Sequence, residues 1–148
     1  LEVLENAKAA LLSAFRSALP AAREEGGDRV LALLGERYID LARERGVHLS
    51  LLQAFVQGAD PVVGSAARAG YLEIWRMLRE EAGLSAEQAR DFLAHGMLIS
   101  VLLAVDLPVL DAEEPDAHEL LIAACGPKLA QIMEPVGAGP AVSPPRAR

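Results

Sequence analysis

The chain is predicted to be a single all-α domain, a bundle of about six helices, and three observations predict it. Its 148 residues include 27 alanines and 24 leucines against 11 valines, 5 isoleucines and no threonine, so good helix formers dominate and strand formers are scarce. Hydrophobic residues make up 52% and charged residues 24%, which supports one ordinary core and excludes wholesale disorder. Apolar residues also recur three and four apart between proline and glycine breakers, the period of a helix with one buried face.

The first helix is read over residues 1–19, with Leu4, Leu11, Phe15 and Leu19 near one face and Pro20 closing it. Gly26 and Gly27 break the chain, Asp28 caps the second helix, and Val30, Leu34, Tyr38 and Leu41 form its stripe as far as Gly46. A short third helix over 47–57 carries Leu49, Leu52, Phe55 and Val56 and stops at Gly58. Asp60 before Pro61 is an N-cap residue ahead of a proline at the first helical position, and it opens a fourth helix that ends at Gly83. Ser85 and Gln88 stand at the spacing of a capping box and start the fifth helix, over 86–107. Glu114 and Pro115 open the sixth, which Gly126 and Pro127 interrupt before a last turn over 128–133. Residues 1–134 thus form the helical domain, and the Pro- and Gly-rich remainder, 135–148, is expected to be a disordered tail.

The fifth helix is unusual. From Phe92 onward only His95, Ser100 and Asp106 interrupt its apolar residues, so it has no wet face and must be covered on both sides. A domain this small has few helices for that, so something else is expected to cover it. Gly96, Ser100 and Ala104 add a strip of small side chains along which another helix can approach.

Chemistry-bearing patterns are few. The net charge of −7 disfavours a surface that grips nucleic-acid phosphates, and the single cysteine, Cys125, excludes an internal disulfide framework. His48, His95 and His118 lie in separate segments without metal-ligand spacing, and the acidic stretch 111–116 lacks the glycine and ligand register of a calcium loop. His95 reads as a histidine satisfied by a carbonyl, and Cys125 as a small buried hydrophobe. No nucleophile elbow, phosphate loop or Glu-x-x-His pair is present, so no catalytic residue, metal or cofactor is predicted. The apolar run 96–105 is short of the ~20 residues that span a bilayer, and the opening LEVLENAK has no basic region of a secretory signal. With no initiator Met, it reads as the interior of a longer cytoplasmic chain.

The aromatics Phe15, Tyr38, Phe55, Tyr71, Trp75 and Phe92 are spread one or two to a helix. They either fill the core or converge on a pocket for a mostly apolar small molecule, with Gln53 and His95 as further polar tips.

The order of these segments resembles the C-terminal domain of TetR-type transcriptional repressors over residues 1–108. The resemblance is carried by G-E-R-Y at 35–38, the Gln53-Ala54 turn, Asp60-Pro61 opening a helix with Tyr71 and Trp75, and Ser85 followed by F-L-A-H-G-M-L at 92–98. It implies that residues 1–19 are the linker helix from an N-terminal helix-turn-helix, which this sequence does not contain, so that operator DNA is reached only through that head. It implies a homodimer whose last two long helices form an intermolecular four-helix bundle, with Phe92, Gly96, Ile99, Ser100, Leu103 and Leu121 at the interface. It implies a pocket for a small apolar or aromatic ligand lined by Phe15, Tyr38, Gln53, Phe55, Tyr71, Trp75 and Met97, and ligand-driven release of DNA by linkage. The main competing reading is a dimeric helical adaptor with a closed core and a protein partner; a bundle enzyme ranks last because no general base is placed.

Overall fold

A computed structural model describes residues 1–25, 27–42 and 44–133, and the described chain is helical with no strand. Its α-helices are α1 (Glu2–Glu25), α2 (Gly27–Ala42), α3 (Arg45–Val56), α4 (Val63–Arg76), α5 (Ala86–Ala104), α6 (Pro115–Cys125) and the short α7 (Leu129–Met133). A π-helical turn, Met77–Glu81, extends α4, and 3-10 turns at Leu107–Leu110 and Gly126–Lys128 flank α6. The predicted tail and the Gly26 break lie outside the described residues, as does the side chain of Asp28.

The first helix runs further than its proline suggests. Pro20 lies inside α1, with its ring exposed, although it donates no hydrogen bond and crowds the carbonyl four residues back. Burial outweighs that cost: Leu19 and Ala22 beside it are at most 6% exposed, packed in the same core as Phe15. The second boundary also moves, since α2 ends at Ala42 and Gly46 falls within the first turn of α3.

Local signals hold where the chain makes its own caps. The Asp60 signal holds only in part: its Oδ1 accepts from the amides of Val62 at 2.8 Å and Val63 at 2.7 Å, but Pro61 lies in the turn rather than at the first helical position, and α4 starts at Val63 with Val62 in the N-cap place. Both halves of the Ser85–Gln88 capping box form, at 2.9 and 3.1 Å. Between them, the π turn has no sequence signal. The Ala82 amide reaches back five residues to the Met77 carbonyl, which rotates Met77 and Leu78 inward, and Gly83, at φ +70°, makes the left-handed turn that ends the run.

Helix α5 ends at Ala104, three residues before the predicted stop, where Asp106 takes a left-handed conformation (φ 53°). Helix α6 spans 11 residues, so of the two helices expected to form a bundle with a second copy only α5 is long.

The main core joins α1, α2, the π turn and the start of α5 around Phe15, Leu34, Met77 and Leu78. A second cluster joins Ile39 of α2, Ile99 and Leu102 of α5, Leu121 of α6 and Leu129 of α7. A third, smaller one ties Leu4 of α1 to Ala54 of α3 and Ala67 of α4. Ion pairs from Lys8 to Glu73 and from Arg16 to Glu81 strap the outside of α1 to α4 and its π turn.

Candidate functional site: an apolar cavity with a buried polar floor

Five helices meet at a small, partly open cavity of about 50 Å³. Helix α1 supplies Leu11 and Phe15, α2 supplies Tyr38, α3 supplies Leu51, Leu52 and Phe55, α4 supplies Tyr71 and Ile74, and α5 supplies Phe92, Leu93, Gly96, Met97 and Ser100. None of these lining side chains is charged. The rings pack edge to face, Phe15 on Phe92 with centroids 5.5 Å apart and Phe55 on Tyr71 at 5.6 Å.

Polar atoms gather at the Ser100 end. The Tyr38 hydroxyl is 2.7 Å from the Gly96 carbonyl oxygen and 2.5 Å from Ser100 Oγ, which is in turn 2.9 Å from Nδ1 of His48. Proton counting orders this chain. The Gly96 oxygen only accepts, so Tyr38 donates to it, Ser100 donates to Tyr38, and the Nδ1–H of a neutral His48 donates to Ser100. That assignment leaves Nε2 of His48 a bare acceptor, and this buried atom has no hydrogen-bond partner among the described residues. Burial pushes the His48 pKa down to about 4, only partly opposed by the Leu41 backbone carbonyl, so the ring is neutral at pH 7. Burial likewise pushes the Tyr38 hydroxyl up to about 12, against the Ser100 hydrogen bond.

Gly96 lets Tyr38 reach this position. A Cβ at Gly96 would meet the Tyr38 ring at 3.2 Å, so any side chain here would push the ring away from the carbonyl it bonds.

On the far side of Tyr38 lies a second, open hollow of about 600 Å³ between α2, the first half of α5 and the end of α6. Glu36 and Lys128 face each other across it at 3.4 Å, and His95 bonds the Ala124 carbonyl through Nε2, the carbonyl-satisfied role read for it. Tyr38, Phe92 and Gly96 line both spaces and form the partition between them.

Of the residues read from sequence as pocket-forming, Phe15, Tyr38, Phe55, Tyr71 and Met97 are brought to the cavity. Gln53 is exposed on the outer side of α3, and Trp75 is half-buried against the main core, outside the lining. Gln53 falls off the stripe that His48, Leu51, Leu52 and Phe55 form at helical spacing. Sequence reasoning missed His48 as a site residue, and that stripe is the signal that could have found it.

The residues read as a dimer interface are largely inside the subunit. Gly96, Ile99, Ser100 and Leu121 are buried, and Phe92 and Leu103 are half-buried. Gly96 and Ser100 of the small-residue strip receive Tyr38 of the same chain, while Ala104 is exposed. The large hydrophobic residues that α5 and its C-cap leave exposed are Leu98 (40%), Val101 (43%) and Val105 (65%), and α6 exposes Leu120 and Ile122. Cys125 is buried at the end of α6, where burial raises its pKa and keeps it a thiol. Among the described residues no group of three His, Cys, Asp or Glu is placed to hold a metal ion, and no helix is long and apolar enough to cross a membrane.

Comparison with protein-family models, with curated proteins and with solved structures found no match to this chain.

Proposed function

We propose that this chain is the ligand-sensing and dimerisation domain of a TetR-type transcriptional repressor, a non-enzymatic homodimer that releases DNA when a small apolar molecule binds. The observation that carries the reading is the convergence of five helices on one uncharged, aromatic-lined cavity with a Tyr38–Ser100–His48 floor. Such a lining suits a mostly apolar ligand held by one or two polar contacts. Helix α1 contributes Leu11 and Phe15 to the wall, so a ligand that displaces them moves the helix that would lead to the DNA-binding head. The bare line Leu98, Val101 and Val105 supports a second copy packed along α5.

The small volume of the cavity favours the adaptor reading, in which the core stays shut and the partner is a protein. A thermal-shift screen with neutral hydrophobic compounds separates the two. The sensor reading expects a subset of compounds to raise Tm with saturable dependence on concentration. An unchanged Tm across a broad library contradicts it.

A further inference from the structure

The polar floor of the cavity has a fixed donor and acceptor character. Three short contacts run through it: Tyr38 to the Gly96 carbonyl at 2.7 Å, Tyr38 to Ser100 at 2.5 Å and Ser100 to Nδ1 of His48 at 2.9 Å. Each contact needs one proton, and the three side chains bring one each, from the phenol, the serine hydroxyl and Nδ1 of the imidazole. Every contact is then satisfied and no proton is left over. What remains free is acceptor capacity, because Ser100 Oγ has two lone pairs and His48 takes only one of them.

Tyr38 and Ser100 both line the cavity, and the only other polar side chain in the lining is Tyr71. The space is partly open and Tyr71 in its wall is 36% exposed, so the tip of a ligand enters without displacing buried core. At the floor it meets an oxygen that accepts and no group that donates. That sorts ligands by their polar end. A ketone or an ether sets its own lone pairs against that oxygen and loses its water without a replacement. A carboxylate does the same and adds a charge. An ammonium donates, but its charge is stripped of water among side chains that carry no countercharge. A neutral hydroxyl donates at no such cost, and about 50 Å³ favours it over a bulkier amide.

Resting on the sensor reading above, we propose that the cavity takes the hydroxyl end of a small neutral alcohol, which donates to Ser100 Oγ, and that it refuses ligands of the same shape whose polar end only accepts. Tyr38 sets this specificity without moving. By accepting the Ser100 proton, it keeps that hydroxyl from donating to a ligand.

The test follows the Met97 methyl resonance, a reporter in the cavity wall, while 1-butanol, its isomer methyl propyl ether and butylammonium are titrated into the wild-type chain and into Tyr38→Phe. The expected wild-type result is saturable binding of 1-butanol, about tenfold tighter than the ether for one buried hydrogen bond, and no binding of butylammonium. In Tyr38→Phe the ring stays and the phenol oxygen is gone, so the Ser100 proton is released to a ligand and the ether rises to the affinity of the alcohol. Equal affinities in the wild type overturn the proposal. So does an alcohol preference that survives unchanged in Tyr38→Phe, or saturation that leaves the Met97 signal unmoved. The wild-type comparison decides by itself if Tyr38→Phe does not fold. If none of the three probes binds, the proposal is overturned while the sensor reading stands or falls on the library screen alone.

Discussion

The two ends of the molecule bury similar residues but finish their surfaces differently. Around Phe15 the core is closed on its outer side by charge: Lys8 pairs with Glu73, Arg16 pairs with Glu81, and no large hydrophobic residue of α2, or of α1 beyond Val3, is exposed. Around Leu121 the inner faces of α5 and α6 are equally dry, yet their outer faces carry Leu98, Val101, Val105, Leu120 and Ile122 in partial contact with solvent. The first region is sealed by charge along α1, although α3 and α4 beside it expose Val56 and Leu72; the second carries exposed hydrophobic residues on both α5 and α6, and α5 belongs to both regions.

That contrast is sharpest in core truncations. Phe15→Ala removes a ring that is 1% exposed and packs edge to face on Phe92, and the expected loss is about 3–5 kcal/mol, read as a large fall in Tm with the association of the proposed dimer unchanged. Leu121→Ala, also at 1% exposure, is expected to cost about 2–5 kcal/mol and to weaken that association as well, because its helix carries the exposed Leu120 and Ile122. Association weakened in both variants, or in neither, breaks the comparison.

At the junction of the two regions lies His48. Its folded pKa of about 4 is below the ordinary 6.5, so between those values the unfolded chain binds more protons than the folded one. The stability it contributes is fully present above pH 6.5 and is lost as pH falls towards 4. The loss is of the order of 3 kcal/mol. Chemical denaturation across that window should show the slope in the wild type and a much flatter one in His48→Gln.

The smallest effect expected is at the start of α5. Ser85→Ala removes the acceptor of the Gln88 amide and should cost about 1 kcal/mol by denaturant titration, without changing ligand response or association.

What could be read from the chain follows the range of the forces. The Ser85–Gln88 box and the Asp60 turn are made within three or four residues; the box was legible in full, and Asp60 as a local acceptor, although the helix after it starts two residues later than Pro61 suggests. The end of α1 was not, because the burial of Leu19 and Ala22 in a distant core overrides Pro20. The π turn was illegible for the same reason: Met77 and Leu78 are rotated inward by packing. At the site, the aromatic residues were legible as a set, since large rings in a small domain have few places to go. Their assignment to cavity or interface was not. The Gly96–Ser100 strip looks alike to a partner helix and to Tyr38, and only the fold decides that Tyr38 fills it. His48 was overlooked because a lone histidine carries no metal or catalytic spacing, although its register with Leu51, Leu52 and Phe55 places it on the buried face.

The claim on which the rest depends is that one side of α5 completes the subunit and the other awaits a twin. Sedimentation equilibrium of the wild type and of Val101→Asp tests it directly. The expected result is a dimer of the 15.7 kDa chain at micromolar concentration, converted to a folded monomer by the exposed-face substitution. A wild-type chain that remains monomeric at every concentration, or a dimer indifferent to Val101→Asp, contradicts the account.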